Sequence, residues 1–170
     1  RRIGVKMVEG YSMTENFGYS HGILWENSIP GTVGKAMPEC EVKSGDDGEV
    51  LVKNNALMDG YYRDPEQTKD AFTSDGFLKT GDIGIIDQKG YLKITGRTKD
   101  IFKTSKGKYV VPSPIEMKIG SNADIEFSCV VGSGWPQPIG LITLTENGKL
   151  KDRIQLHKEL DEQLQQINLT

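Results

Sequence analysis

The sequence has few of the residues from which metal centres, disulfide frameworks and membrane spans are built. Its two cysteines, Cys40 and Cys129, are far apart and match no metal-ligand spacing, so we expect reduced thiols in a cytosolic protein. The two histidines, His21 and His157, also stand alone, which argues against a zinc site. No apolar run approaches the roughly 20 residues that cross a bilayer, and no amino-terminal signal peptide is recognisable. The predicted location is therefore the cytoplasm.

The chain also lacks an excess of charge of one sign. Its net charge is −3 and 26% of its residues are charged, so no global field attracts nucleic acid, and we predict no nucleic-acid partner. Hydrophobic residues, at 36%, are sufficient for a compact core, and twenty glycines favour short strands and turns. The first residue is Arg1 and not an initiator Met, so we expect a segment of a longer protein.

Alternating apolar and polar residues predict a small antiparallel sheet in the first half of the chain. This period-two pattern, typical of half-buried strands, occurs in residues 48–53, 76–80 and 82–86. Residues 87–90 (Asp-Gln-Lys-Gly) then have the composition of a turn, and residues 91–94 have that of the returning strand of a hairpin. We therefore predict a β-rich subdomain at about residues 45–95.

The second half of the chain combines helix and strand signals. Ser113, Pro114 and Glu116 predict a helix start, because Ser can cap, Pro suits the first helical position and Glu completes a capping box. Two strands and a closing helix are expected in residues 127–132, 139–145 and 151–167. The closing helix has one apolar stripe, formed by Leu156, Leu160, Leu164 and Ile167.

The predicted fold class is therefore α+β. A small antiparallel β-rich subdomain is followed by a small α+β carboxy-terminal domain, and a hinge joins the two. The boundary is expected near Arg97, where a basic stretch begins, which gives domains of residues 1–96 and 97–170.

Three segments carry residues suited to nucleotide chemistry, although each has a simpler explanation. In residues 11–15 (Tyr-Ser-Met-Thr-Glu) a ring can stack on a base and a carboxylate can hold Mg²⁺, but a polar loop with a buried Tyr explains them too. In residues 80–82 (Thr-Gly-Asp) the Asp can accept both hydroxyls of a ribose or stabilise its own turn. The basic stretch that begins with Gly-Arg-Thr-Lys-Asp at residues 96–100 can bind phosphate or be a solvated loop.

Taken together, in this order and spacing, the three segments resemble the carboxy-terminal half of the adenylate-forming superfamily. That superfamily contains acyl-CoA and aryl-CoA synthetases, peptide-synthetase adenylation domains and firefly luciferase. The resemblance runs from about Gly10 to Glu116 and includes the connecting strings at residues 31–35, 60–68 and 75–82. It implies that residues 1–96 are the carboxy-terminal part of the large adenylation domain and that residues 97–170 are a truncated small domain.

The resemblance implies roles in nucleotide binding for five residues. Tyr11 would lie against the adenine, Thr14 would bind phosphate oxygens, and Glu15 would hold Mg²⁺. Thr14 and Glu15 are accordingly the candidate catalytic residues, and Glu15 is the candidate metal ligand. Asp82 would bind the ribose hydroxyls, with Arg97 supporting ribose and phosphate. The implied cofactors are ATP or AMP and Mg²⁺, with coenzyme A as co-substrate.

Further roles are implied at the start of the small domain. Lys99 stands at the position of the family's hinge, and Gly107 falls in the loop that approaches the pantetheine arm of CoA, where a glycine permits close backbone approach. Residues 100–107 look most like those of long-chain fatty acyl-CoA synthetases. The family's catalytic Lys follows a helix that corresponds to residues 151–167, so we expect it beyond Thr170 and do not assign it to Lys149.

The implied reaction of the parent protein has two steps. A fatty carboxylate attacks the α-phosphate of MgATP to give an acyl-adenylate and pyrophosphate. The small domain then rotates about Lys99, and the CoA thiol attacks the activated carbonyl. Because the family's phosphate-binding loop and catalytic Lys are missing, we expect this chain alone to be inactive. The expected partners are the fatty acid and CoA, and no protein partner is inferred.

Three alternatives stay open at the level of the sequence. One is an aryl-acid or medium-chain acid ligase, and another is a non-catalytic nucleotide-binding module of the same fold. The third is contact with an acidic membrane surface or nucleic acid through the basic residues Lys93, Arg97, Lys99, Lys103, Lys106 and Lys108. The net charge argues against a dominant effect of this last kind, and peripheral membrane contact is kept as an addition to the cytoplasmic location.

Overall fold

The structure, a computed structural model, describes residues 8–23, 25–45 and 47–168. Strands β1 to β10 are His21–Gly22, Lys35–Ala36, Glu41–Ser44, Glu49–Lys53, Leu78–Ile86, Leu92–Arg97, Phe102–Lys103, Tyr109–Val110, Ile125–Val131 and Ile139–Leu144. Helices α1 to α4 are Pro65–Ala71, Pro112–Ile119, Glu146–Leu150 and Arg153–Asn168. Short 3₁₀ helices occupy Thr14–Asn16, Trp25–Asn27 and Thr98–Asp100. The chain divides into two compact units, and the division lies between Thr98 and Lys99.

The first unit contains the predicted antiparallel sheet, in the order β3-β4-β5-β6. The α+β class is confirmed, and the sheet begins with β3, which lies before the predicted start at residue 45. Its core consists of four buried side chains, Val50, Val52, Leu78 and Leu92. They belong to three neighbouring strands. They can form one cluster because alternate positions along a strand face the same side of the sheet.

Strand β5 differs from its prediction. Two strands with a turn at residues 80–82 were expected, and the structure has one continuous strand over Leu78–Ile86. Glu49 pairs with Ile83 and Leu51 pairs with Lys79, so residues 80–82 stand together opposite Val50. This is a β-bulge, and glycine at residue 81 permits its φ of 72°. The Thr-Gly-Asp segment thus bends the strand without ending it.

The hairpin that joins β5 to β6 confirms the predicted turn. The carboxylate of Asp87 accepts hydrogen bonds from the backbone N–H groups of Lys89, at 2.8 Å, and Tyr91, at 2.9 Å. Gly90 has a φ of 82°, which a residue with a Cβ rarely adopts. Ile86 then pairs with Leu92 across the hairpin.

The second unit contains the antiparallel pair β9 and β10, with helix α2 packed on β9 and helix α4 packed on α2. Ile119, Ile125 and Val130 form its buried centre, and Leu160 and Ile167 of the predicted stripe pack against them. Leu156 is buried, but Leu164 is 46% exposed, so the stripe is only partly covered.

The predicted start of α2 was wrong in its mechanism. The helix begins at Pro112, and Val111 is the cap residue and makes no side-chain hydrogen bond there. The carboxylate of Glu116 accepts a hydrogen bond from the backbone N–H of Val130 at 2.8 Å, so it fastens the helix to strand β9 and does not complete a capping box. Because proline has no N–H, the prolines at 112 and 114 leave fewer donors to cap.

The short helix α3 was not expected from the sequence. Thr145 caps it, since its hydroxyl accepts a hydrogen bond from the backbone N–H of Gly148 at 3.1 Å. Over the described ranges, no helix is both long enough and apolar enough to cross a membrane.

Candidate functional site

The carboxylate of Asp82 is the centre of a polar cluster on the bulge of β5. Asp82 is 6% exposed, and the Tyr11 hydroxyl donates a hydrogen bond of 2.7 Å to its Oδ2. The Arg97 Nε donates to Oδ1 at 2.8 Å and forms an ion pair with it. Three of the residues implied in nucleotide binding therefore meet at one point.

Local pairing explains how these three side chains come together. Arg97 is the direct cross-strand partner of Asp82 at the end of the β5–β6 ladder, where side chains of opposite residues lie close. Tyr11 arrives from a separate segment, which is held by two backbone hydrogen bonds of 2.9 and 3.0 Å with His21. The bulge changes the direction of the Asp82 side chain, so that its carboxylate faces the donors of Tyr11 and Arg97.

The cluster suits a polar ligand because its donors stay protonated while its carboxylate keeps capacity to accept. Burial, and to a smaller extent the negative charge of Asp82, raises the pKa of the Tyr11 phenol, so Tyr11 remains a donor. A carboxylate has about four lone-pair positions, and the two donors occupy two of them. The Arg97 side chain is 67% exposed, so the cluster is open to solvent on that side.

Glu15 belongs to a second set of contacts in the same unit. It lies in the 3₁₀ helix Thr14–Asn16. Its Oε1 accepts a hydrogen bond from the Tyr61 hydroxyl at 2.8 Å, and its backbone carbonyl accepts one from the N–H of Met58 at 2.7 Å. Thr14 is exposed beside it. Tyr61 was missed by the sequence reasoning, which noted residues 60–68 only as a string typical of the family.

Buried polar groups hold the segment that carries Tyr11 and Glu15. Asn16 is fully buried, and its side-chain oxygen accepts the backbone N–H of Met13 at 3.1 Å. His21 is 5% exposed, and its Nδ1 lies 2.8 Å from the Ser20 hydroxyl. Burial lowers the pKa of His21 to about 4, so this ring is neutral at physiological pH.

The other two implied residues belong to the second unit. Lys99 is its first residue and lies in the 3₁₀ helix Thr98–Asp100. Gly107 is in the turn between β7 and β8, with a φ of 82°, and its N–H donates to the carbonyl of Thr104 at 2.9 Å. Gly107 therefore has the exposed, side-chain-free turn that close approach of a ligand needs.

The acidic side chains do not assemble a metal site of their own. Within the described part of the chain, no three His, Cys, Asp or Glu residues are grouped in a way that could hold a metal ion. Mg²⁺ typically takes one or two carboxylates together with phosphate oxygens and water. A single carboxylate such as Glu15 fits that requirement only when a nucleotide supplies the remaining ligands.

Comparison with known proteins places the chain beside ligases that form CoA esters. No family model matches the sequence. A long-chain-fatty-acid–CoA ligase of Mycobacterium bovis, FadD15, is 39% identical over 144 residues, which are 85% of this chain and 24% of the relative. The chain thus spans about a quarter of the length of that relative.

Solved structures with bound nucleotide share the fold. The ATP-bound structure of MatB from Rhodopseudomonas palustris has a TM-score of 0.75 and 32% identity, and it covers 94% of this chain and 34% of that one. An O-succinylbenzoate coenzyme A synthetase from Bacillus subtilis, in complex with ATP and magnesium ion, has a TM-score of 0.69 and 27% identity, with 81% of this chain and 31% of that one covered.

Proposed function

We propose, from the premise that this chain is homologous to the carboxy-terminal part of the adenylate-forming acyl-CoA synthetases, that it supplies nucleotide-binding residues and the hinge of a fatty-acid–CoA ligase. The full-length protein would join a fatty carboxylate to AMP, with release of pyrophosphate. It would then transfer the acyl group to the CoA thiol, with release of AMP. The chain by itself is proposed to be inactive.

The observation that carries this proposal is the buried Asp82 carboxylate with its two donors. Tyr11 and Arg97 hold its two oxygens at 2.7 and 2.8 Å, so the carboxylate has one orientation before any ligand binds. Its remaining lone pairs can accept the two neighbouring hydroxyls of a ribose, a charge-assisted contact that suits a nucleotide. The exposed guanidinium of Arg97 is a planar donor for ribose or phosphate oxygens beside it.

Glu15 fits the role of magnesium ligand because one of its oxygens is held by Tyr61. Mg²⁺, when bound with the nucleotide, would offset the negative charge of the phosphates. The hydroxyl of Thr14 is proposed to donate to a phosphate oxygen, supported by the exposure of this residue next to Glu15. In this proposal the protein contributes positioning and charge, and no covalent intermediate on its own side chains is needed.

Long-chain fatty acids are the proposed acid class, supported by the identity with the ligase of Mycobacterium bovis. The likeness to the O-succinylbenzoate synthetase keeps aryl acids as the alternative within the same chemistry. A nucleotide-binding module without catalysis is the alternative outside it. CoA is proposed as the acyl acceptor, and the turn at Gly107 as the part of the chain that approaches its pantetheine arm.

The test is acid-dependent formation of AMP from ATP by the full-length protein, with and without CoA, over fatty acids of several lengths and an aryl acid. We expect AMP release that requires both a long-chain acid and CoA. If the aryl acid supports AMP release and no fatty acid does, the proposed acid class is wrong and aryl acids take its place. A folded full-length protein that releases no AMP with any acid would contradict the ligase and favour the binding module.

A further inference from the structure

Tyr61 contacts Glu15, although no local sequence pattern links the two residues. The two residues are 46 positions apart, and the Tyr61 hydroxyl donates to Glu15 Oε1 at 2.8 Å. Three residues before Tyr61, the backbone N–H of Met58 donates to the Glu15 carbonyl at 2.7 Å. One short loop therefore holds both the backbone and the side chain of Glu15.

The loop that carries Tyr61 is itself fixed in place. The backbone N–H of Tyr61 donates to the Thr68 hydroxyl at 2.8 Å, and that hydroxyl donates to the carbonyl of Asp64 at 2.7 Å. Gly60 has a φ of 155°, and a Cβ there would lie 2.7 Å from the Cγ2 of Thr68. The close approach of Gly60 to helix α1 fixes the backbone from which the Tyr61 side chain extends. Less conformational entropy is then lost when the Tyr61 hydroxyl bonds to Glu15.

Building on the proposed function, we propose that Tyr61 is a positioning residue for the magnesium-bound nucleotide. Its hydroxyl holds Glu15 Oε1, which would leave the other carboxylate oxygen, Oε2, available to bind Mg²⁺. A carboxylate held at one oxygen has lost rotational freedom before Mg²⁺ arrives, and that loss is then not part of the cost of binding. The arrangement is that of an outer partner which orients a metal ligand.

The chemistry of the phenol matches this role. A phenol hydroxyl is a single O–H donor without positive charge, and this one lies 2.8 Å from Glu15 Oε1. A phenol held in this way neutralises no charge on Glu15, so the carboxylate keeps the negative charge that Mg²⁺ requires.

The neighbouring residue provides a matched control. Tyr62 has the same side chain, is 86% exposed, and lies with its ring 5.1 Å from the guanidinium of Arg63. The substitution Tyr62→Phe removes an equivalent hydroxyl one position along the chain and leaves the hydrogen bond to Glu15 in place.

The experiment uses the full-length protein as wild type, Tyr61→Phe and Tyr62→Phe. ATP binding is measured by isothermal titration calorimetry over a series of Mg²⁺ concentrations, and kcat and KM for ATP are measured alongside. We expect Tyr61→Phe to need roughly tenfold more Mg²⁺ for half-maximal ATP affinity, the scale of one charged hydrogen bond. Binding of ATP without Mg²⁺ and the thermal midpoint should stay unchanged, and Tyr62→Phe should behave as wild type.

The outcomes separate this proposal from the proposed function. If the wild type forms AMP and Tyr61→Phe has an unaltered Mg²⁺ requirement, the positioning role is overturned and the ligase stands. The same holds if Tyr61→Phe weakens ATP binding equally at every Mg²⁺ concentration, because that pattern reports a general structural defect. If the wild type shows no Mg²⁺-dependent ATP binding, both proposals are overturned.

Discussion

At the scale of single residues, Asp82 is the centre of the proposed nucleotide site. It is nearly inaccessible as a residue, yet its charge is matched by Arg97 and its second oxygen is bonded to Tyr11. A buried carboxylate with fewer partners would destabilise the fold, because an unpaired buried charge is costly. The hydrogen bonds from Tyr11 and Arg97 thus offset the cost of burying Asp82. A bound ribose would add further donors to the same carboxylate.

The first prediction concerns nucleotide affinity. We expect Asp82→Ala in the full-length protein to weaken AMP binding by about 1.5–3 kcal/mol, or roughly 10–150-fold in Kd, since charged hydrogen bonds to the ribose are lost. Isothermal titration calorimetry with AMP measures this directly. Asp70→Ala, which removes an exposed carboxylate on α1, is the control and should leave Kd unchanged. Wild-type affinity in a folded Asp82→Ala protein would contradict the assignment.

A second prediction at this scale concerns the pH dependence of stability. Because burial lowers the pKa of His21 from 6.5 to about 4, the unfolded chain binds a proton at higher pH than the folded one. The contribution of His21 to stability is therefore complete above pH 6.5 and is lost as the pH falls toward about 4, by up to about 3 kcal/mol.

Urea unfolding at several pH values in this window checks the effect. His21→Gln, which cannot titrate, should show a smaller fall in the free energy of unfolding than wild type. His157→Gln changes an exposed histidine on α4 and should keep the wild-type fall. An equal fall in wild type and His21→Gln would assign the pH dependence to other groups.

At the scale of elements, strand β5 joins the core to the site. Its first part contributes Leu78 to the core, its bulge presents Asp82, and its last part packs Gly84 closely between β4 and β6. The bulge is what allows these tasks in one strand, since it changes the direction of the side chains partway along.

The third prediction concerns the close packing at Gly84. A Cβ at this position would lie 2.8 Å from side-chain atoms of both Leu92 and Val50, and 3.0 Å from the carbonyl oxygen of Lys93. We expect Gly84→Ala to lower the free energy of unfolding by about 1–3 kcal/mol, the usual cost of overpacking a core. Ile85→Val, at the next and 63% exposed position, should change it by less than about 0.5 kcal/mol. Urea unfolding midpoints of the two variants measure this difference. An unaltered midpoint in Gly84→Ala would show that the neighbouring side chains move to accommodate the added Cβ.

At the scale of the whole molecule, the chain consists of two units that meet in sequence between Thr98 and Lys99. Each has its own buried cluster, one built on β4, β5 and β6 and the other on α2 and β9. A boundary of this kind places the proposed hinge residue at the junction of two separately packed bodies, where a change in a few backbone angles can reorient one unit as a whole.

The fourth prediction tests that hinge. Lys99 lies in a 3₁₀ helix, whose φ values suit proline, so Lys99→Pro should preserve the observed local conformation while blocking another one. We expect acid-dependent pyrophosphate exchange to stay near wild type and acyl-CoA formation to fall by at least about tenfold. Lys99→Ala keeps the backbone free and should support both steps. Equal loss of both steps in Lys99→Pro would contradict a hinge role.

The features that could be predicted from the sequence are those that depend on residues close together along the chain. Alternation predicted β4 and β6, the turn at residues 87–90 is confirmed down to Gly90, and the α+β class is confirmed. These succeed because strand period and turn geometry are settled by residues within a few positions of one another. The roles of the individual site residues stay predictions from resemblance.

Contacts between residues far apart along the chain are seen only in the folded protein. Tyr11 and Asp82 are 71 positions apart, and Tyr61 and Glu15 are 46 apart, so no local pattern could pair them. The same reason explains the errors at β5 and α2. The bulge at residues 80–82 exists because β4 lies opposite, and Glu116 bonds to Val130 because β9 packs on the helix. A side chain's hydrogen-bond partner is chosen by what packing brings within reach, and that is a property of the folded chain.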